Sequence, residues 1–413
     1  MRSALLPFLA VLMLFPRDVC AQGNPLGPEF RVNTTTTDDQ VEPAVAADSS
    51  GNFVVVWQSG PYPNNIFGQR FAISGAPLGA EFRVNTVPDG ENNTLPATAA
   101  DPAGNFVVIW NQSPLTGTDL RGQRFASSGV PLGGEFDVGG SGYPYDAAVA
   151  SDSAGNFVIV WHDLFPIPTE ANVFGQRYAN SGSPLGSPFP VNTYTTGLQS
   201  NTSVAVDPAG NFVVVWVSYP QDGSGFGVFG QRFASSGVPL GSEFSVSTYI
   251  TGGQPRPSVA ADSSGNFVVV WDGPDGPVPA FSGVFGRRYD NSGAPLGPAF
   301  RVNTATTLDQ ESPDVAVDAS GNFIVVWRSL LQDQSAFGTY AQRYESSGVP
   351  LGAEFRVNTY TTNNQWNPTV AADASGDFVV VWESDLQDGS GLGVFAQRYR
   401  PILPVDLTRF WLE

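Results

Sequence analysis

Three features of the 413-residue sequence predict an all-β protein arranged as a ring of seven like units. The stretch Gly51-Asn52-Phe53-Val54-Val55-Val56-Trp57 returns nearly unchanged in the segments ending at Trp110, Trp161, Trp216, Trp271, Trp327 and Trp382, so one supersecondary unit recurs about every 55 residues. No segment sustains an apolar period of 3.6 residues, whereas short β-branched runs bounded by Gly, Pro, Ser and Asn recur throughout. Finally, the chain begins, after residue 21, with a strand of the kind that ends each unit, and its last unit stops one strand short.

Each unit reads as four strands in order. In the first unit a small apolar strand, Ala44 to Asp48, leads through a Ser49-Ser50-Gly51 turn to the run Asn52 to Trp57. That run is continuously apolar, which requires both of its faces to be covered. A blade sandwiched between two neighbours meets the requirement, with the small first strand at the crowded centre. The third strand, Ile66 to Phe71, passes through Ser74 to Gly79 into the fourth, Glu81 to Thr86, whose charges, such as Arg83 and Arg356 in the equivalent unit, suit the rim. The expected fold is a seven-bladed β-propeller of four-stranded antiparallel blades. Glu29 to Thr34 is expected to complete the last blade, whose own strands stop at Val394 to Tyr399, and so to close the ring. Closure leaves only short, protected edges, whereas an open solenoid needs polar caps at both ends.

Residues 1–21 read as a signal peptide: Arg2, an apolar run from Ala4 to Phe15, and Val19-Cys20-Ala21 as a cleavage site. The run is too short to cross a bilayer, which takes roughly 20 apolar residues, so no integral membrane segment is expected after cleavage. Residues 22–400 form the propeller, and 401–413 are a tail resembling a truncated linker or sorting region. A protein that is secreted or held at the cell surface, and monomeric, is the expectation. Cleavage after Ala21 removes the single cysteine, and with it disulfides and thiolate chemistry. All 19 basic residues are arginine, which excludes Schiff-base and P-loop lysine chemistry. One histidine, His162, excludes a multi-His metal centre and confines any Ser-His triad to its vicinity. The formal charge of −19 repels nucleic acid and anionic membranes.

The unit S-V-A-x-D-x-x-G-N-F-V-V-V-W, followed by V-F-G-Q-R-[FY] and P-L-G-x-E-F-x-V-N-T, resembles the repeat of bacterial secreted and surface-exposed β-propeller proteins over about residues 26–400. The resemblance implies the fold. It implies no function, since propellers host enzymes, lectins and scaffolds alike.

In an up-and-down blade, the near-identical Asp-x-x-Gly-Asn and Ser-Gly-x-Pro-Leu-Gly turns emerge at one end and the variable connections at the other. The candidate ligand-binding residues lie on that variable face: Tyr143, Tyr145, His162, Asp163, Phe165, Tyr194, Tyr219 and Trp366, aromatic platforms beside polar groups. Blade 3 deviates most, with a short entry at Gly139 to Tyr145 and a loop running from His162 to Asn172. A surface histidine without function is the plainer interpretation of His162. The recurrent Asp48, Asp101, Asp152, Asp207, Asp262, Asp318 and Asp373 suit turn hydrogen bonding. The recurrent arginines, Arg70 to Arg398, are expected to be scaffold, pairing with a carboxylate or stacking on the neighbouring Trp. No cofactor is expected; Gln221 to Gly225 and Gln387 to Gly391 leave calcium open, though each offers one carboxylate where calcium takes six to eight oxygens. The expected function is non-catalytic: a binding, adhesion or scaffold module for an extracellular glycan or protein. The alternatives are a carboxylate-dependent glycoside hydrolase or lyase at the channel mouth, with Asp163 and Glu170 the nearest candidates, and a purely structural surface protein.

Overall fold

The computed structural model describes residues 24–86, 90–113, 119–139, 143–164, 171–221, 223, 225–247, 256–274 and 281–400. The expected signal peptide and tail, Phe165 and Glu170 lie outside these residues.

Seven antiparallel sheets, each read inner to outer in chain order, form a ring without a helix among the described residues. Blade 1 consists of Gln40–Ala47, Phe53–Ser59, Asn65–Phe71 and Phe82–Arg83. Blades 2 to 6 repeat this order, and blade 7 contains Gln365–Ala372, Phe378–Asp385 and Leu392–Arg400. Against the last of these, Phe30 pairs with Ala396 and Arg31 with Phe395, and Val394 N–H donates to Asn33 Oδ1 at 2.9 Å. Inner strands of successive blades touch all round the ring, the seventh against the first included.

The continuous apolar run of the second strand serves two interfaces. Val54 and Val56 pack with Phe106, Val108 and Trp110 of blade 2, while Val55 and Trp57 pack with Val379, Val381 and Ala396 of blade 7. Burying one such aliphatic side chain contributes roughly 1.5–3 kcal/mol, and the pattern recurs between all the blades. Phe53 stacks on Phe71 across the sheet at 5.0 Å, closing the layer beneath the tryptophan.

The recurrent aspartates fasten the hairpins between first and second strands. Asp48 Oδ1 accepts from the N–H groups of Ser50 and Asn52 at 2.8 and 2.9 Å, and its Oδ2 from Asn52 Nδ2 at 2.8 Å. The recurrent arginines are scaffold, but their expected partners need correction. Arg177 donates to the carbonyls of Ser235 in blade 4, at 2.6 Å, and Leu185 in its own blade, at 3.0 Å. Arg70 likewise reaches Ser127 O of blade 2 and Leu78 O, and Arg398 reaches Ile73 O of blade 1. The tryptophans are enclosed by apolar side chains and the aspartates are taken by their turns, so the guanidinium turns to backbone carbonyls of the next blade.

Candidate functional site: the axial mouth of the variable face

Six inner strands share a bulge near their start. In blade 1 the register slips between Val41 and Ala44 against the second strand, so two residues oppose one. The residue at the slip, Glu42, has φ of 52°, and its counterparts Leu95, Asp146, Asn201, Ser312 and Asn367 lie between 45° and 53°. A bulge re-aims a side chain at the cost of left-handed backbone, a conformation Asn and Asp tolerate better than most. Arg256 holds this place in blade 5.

Identity varies here although the surrounding sequence does not. The bulge carries Glu42, Leu95, Asp146, Asn201, Arg256, Ser312 and Asn367 in turn. The position after each recurrent tryptophan carries Gln58, Asn111, His162, Val217, Asp272, Arg328 and Glu383, seven different residues after one invariant one. These second-strand residues sit across from the residue preceding the bulge: Tyr145 opposite His162, Glu311 opposite Arg328, Trp366 opposite Glu383.

The two columns are joined by hydrogen bonds that cross blade boundaries. Glu383 Oε1 accepts from the N–H of Glu42 in blade 1 at 2.6 Å and from Asn367 Nδ2 at 2.9 Å. Asp272 Oδ2 accepts from the N–H of Ser312 in blade 6 at 3.2 Å, and Arg256 donates to the Ser312 hydroxyl. Asn111 Nδ2 donates to Pro144 O of blade 3 at 2.8 Å. Charges also act across the ring, because Glu42 of blade 1 and Arg256 of blade 5 both bear on Asp146 of blade 3.

Burial dominates the titration of this set. It pushes the carboxyl of Glu383 up to about 7, against the opposing pull of its two hydrogen bonds. Burial likewise raises Asp146 to about 6, with Glu42 adding and Arg256 opposing, and Asp272 to about 6, with the Ser312 N–H and Arg256 opposing. Glu42 is raised for the same reason, with Arg256 opposing. Burial lowers His162 to about 4, leaving a neutral imidazole near pH 7. Such shifts concentrate where proton transfer or ligand binding takes place, although structural networks produce them too.

Of the residues singled out in the sequence, Tyr145 and His162 come together, their rings edge to face at 5.7 Å and 64°. Tyr145 is 45% exposed, and half-buried Trp366 holds the equivalent place in blade 7. His162 is only 5% exposed, which corrects the surface-histidine expectation. The second strand of blade 3 runs on to Leu164, so His162 lies within the sheet instead of in a loop. Asp163, buried beside it, faces Pro144 and Asn172 across the sheet. Tyr143 opens the inner strand, paired with Leu164. Tyr219 packs on Phe226 at 4.9 Å, two residues past the column position Val217, and Tyr194 lies in the connection leaving blade 3. Neither joins the axial set.

Glu42, Asp146, Asp272 and Glu383 belong to strands, and Arg256 lies two residues ahead of one, so none of them is among the aromatic loop residues of the variable face. Their signal was the change of residue in every copy immediately after an invariant Val-Val-Val-Trp type run and just ahead of the small inner strand. At the opposite end, a cavity of about 300 Å³ is lined by the seven recurrent aspartates, whose carboxylates are occupied by their hairpins. Among the described residues no group of three or more His, Cys, Asp or Glu could hold a metal ion, and no helix is long and apolar enough to cross a membrane.

No protein-family model and no curated protein sequence matches the chain. Solved structures of similar shape include a protein of unknown function from Dyadobacter fermentans, with a TM-score of 0.54 at 10% identity over 92% of this chain and 99% of that one. The polysaccharide lyase Uly1 gives 0.56 at 9% identity over 91% and 99%. The GH93 α-L-arabinofuranosidase of Fusarium graminearum, solved with arabinobiose, gives 0.50 at 12% identity over 91% and 98%. Identities this low show a common fold, the seven-bladed propeller, and nothing finer.

Proposed function

We propose that the chain is an exported, monomeric glycan-binding propeller that works without a cofactor and holds its ligand at the axial mouth of the variable face. One observation carries this proposal: blades that are otherwise near copies vary at two converging positions, which are polar in every blade but for Leu95 in one column and Val217 in the other, beside the exposed ring of Tyr145. An exposed aromatic face next to hydrogen-bonding groups suits a sugar ring, which offers C–H faces and a rim of hydroxyls. Asp272 and Glu383 are each 2% exposed, so a chain end or single sugar reaches them more readily than a flat protein surface does. The signal-like residues 1–21 and the cysteine- and lysine-free remainder support export. That Uly1 and the arabinofuranosidase act on carbohydrates is fold-level analogy only.

Titration calorimetry of the full chain against a panel of neutral and charged oligosaccharides tests the proposal. Binding is expected, weakened at least tenfold by Tyr145→Ala and unchanged by Tyr62→Ala, which removes an 82%-exposed ring elsewhere. No binding, or equal binding by Tyr145→Ala, overturns it.

The second reading is a glycoside hydrolase or lyase using these carboxyls. It is favoured by the protonation of Glu383 near 7 and of Asp146 and Asp272 near 6, a range suited to general acids around neutrality. Turnover of a bound oligosaccharide, lost in Asp146→Asn while binding persists, would establish it over the first. A purely structural role fits the variation of the two columns poorly.

A further inference from the structure

Three residues of the column after the tryptophans keep a buried polar atom without a hydrogen-bonding partner: Asn111 Oδ1, His162 Nδ1 and Asp272 Oδ1. The side chains are 1%, 5% and 2% exposed, so the cost of an unmade hydrogen bond applies to each. All three side chains belong to the second-strand column and contact the inner-strand segments around the bulges. Asp272 reaches the Ser312 bulge, Asn111 reaches the carbonyl two residues before Asp146, and His162 lies against Tyr145.

The mouth is rich in acceptors and poor in cations. Among the described residues Glu42, Asp146, Asp272 and Glu383 supply carboxyl groups there, against the guanidinium of Arg256. Glu311 and Asp39 add negative charge nearby, and Arg328 is taken up by Glu311 at 2.6 Å. Two of the three orphaned atoms, Asn111 Oδ1 and Asp272 Oδ1, are acceptors. A group that brings several N–H donors and a positive charge would satisfy both shortages, and a hydroxyl would satisfy one.

We propose, resting on the glycan-binding function above, that the ligand is an amino sugar whose free ammonium group enters the axial mouth, donating to Asp272 Oδ1 and its neighbours while Tyr145 covers the sugar ring. The ammonium neutralises carboxylates that burial otherwise disfavours, and its three donors meet acceptors already positioned on the strands. Arg256 keeps the cluster from repelling itself in the unliganded protein.

Calorimetry at pH 6.5 with a glucosamine hexamer, its fully N-acetylated counterpart and spermidine tests this on the full chain. The free-amine hexamer is expected to bind at least tenfold tighter than the acetylated one and than spermidine. Asp272→Asn and, independently, Asp146→Asn are expected to erase most of that preference, while Asp290→Asn, on the opposite face, leaves it intact. If one of the axial variants does not fold, the other decides. Equal affinity for the two hexamers, or a preference that survives in a folded axial variant, overturns the amino-sugar assignment. Spermidine binding as tightly as the free-amine hexamer overturns it too, in favour of a general amine site. Tyr145-dependent binding of neutral glycans would persist in any of these cases if only this inference fails, and its absence would remove the function beneath it as well.

Discussion

Replacing Glu383 by Gln should stabilise the protein in alkaline solution and do little in acid. The carboxyl titrates at about 7 in the fold against 4.5 for the free group, mainly because burial disfavours its charge. Below pH 4.5 both states hold the proton and the group contributes no penalty. As pH rises from there toward 7 the unfolded chain releases the proton while the folded chain retains it, so stability falls, and the loss is complete above 7. At about 1.4 kcal/mol per pH unit the full loss is about 3 kcal/mol. Gln keeps an Oε1 to accept from the Glu42 N–H and from Asn367 Nδ2, and has no charge to bury. The variant should therefore exceed the parent by about 3 kcal/mol at pH 8.5 and by under about 1 kcal/mol at pH 5. With an unfolding entropy of roughly 2.1 cal/mol/K per residue, that is a rise in melting temperature of about 4 °C at pH 8.5 for this chain. Circular-dichroism melts and urea midpoints at the two pH values provide the measurement. A variant no more stable than the parent at pH 8.5, or one raised equally at both, would refute the desolvation argument.

Two further outcomes concern the scaffold. A chain beginning at Thr35 loses the pairing of Phe30 and Arg31 with the last strand, the Asn33 contact to Val394, and the Glu29 carboxylate that accepts from Thr359 N at 2.6 Å. If this segment locks the ring, its removal bares a strand edge and should lower the melting temperature by about 5 °C or more, or cause aggregation, and an unchanged melt of a soluble monomer would sink the idea. Gly51 has φ of 80°, and an added Cβ would lie 2.7 Å from Ile73 Cδ1 and 2.8 Å from Asp373 Oδ2. Gly51→Ala should cost roughly 1–3 kcal/mol in urea unfolding, and an unshifted midpoint would show that this turn relaxes more freely than its packing suggests.

The hairpin aspartates were legible in the sequence because each acts within four residues of itself, as Asp48 does on Asn52. The arginine contacts were not, because Arg70 meets a carbonyl 57 residues along the chain, in another blade. Tyr145 and Trp366 were found from their aromatic character on the variable face. The burial of His162 was not, since it depends on a strand running three residues beyond Trp161. Apolar pattern alone does not place that end, because His162, Asp163 and Leu164 read as the start of a loop.

The repeat by itself determined the number of blades, the order of strands in each and the burial of the second-strand Val-Val-Val-Trp type run of every copy. Those properties follow from short-range patterning, which any copy of the unit carries in full. Only the tertiary structure decided that Glu42, Asp146 and Arg256 share one electrostatic environment. They are separated by about two blades of sequence from one to the next, and nothing local relates them. Curving the sheets into a ring turns one position per blade toward a common axis, and buried side chains there sense one another because little water lies between them.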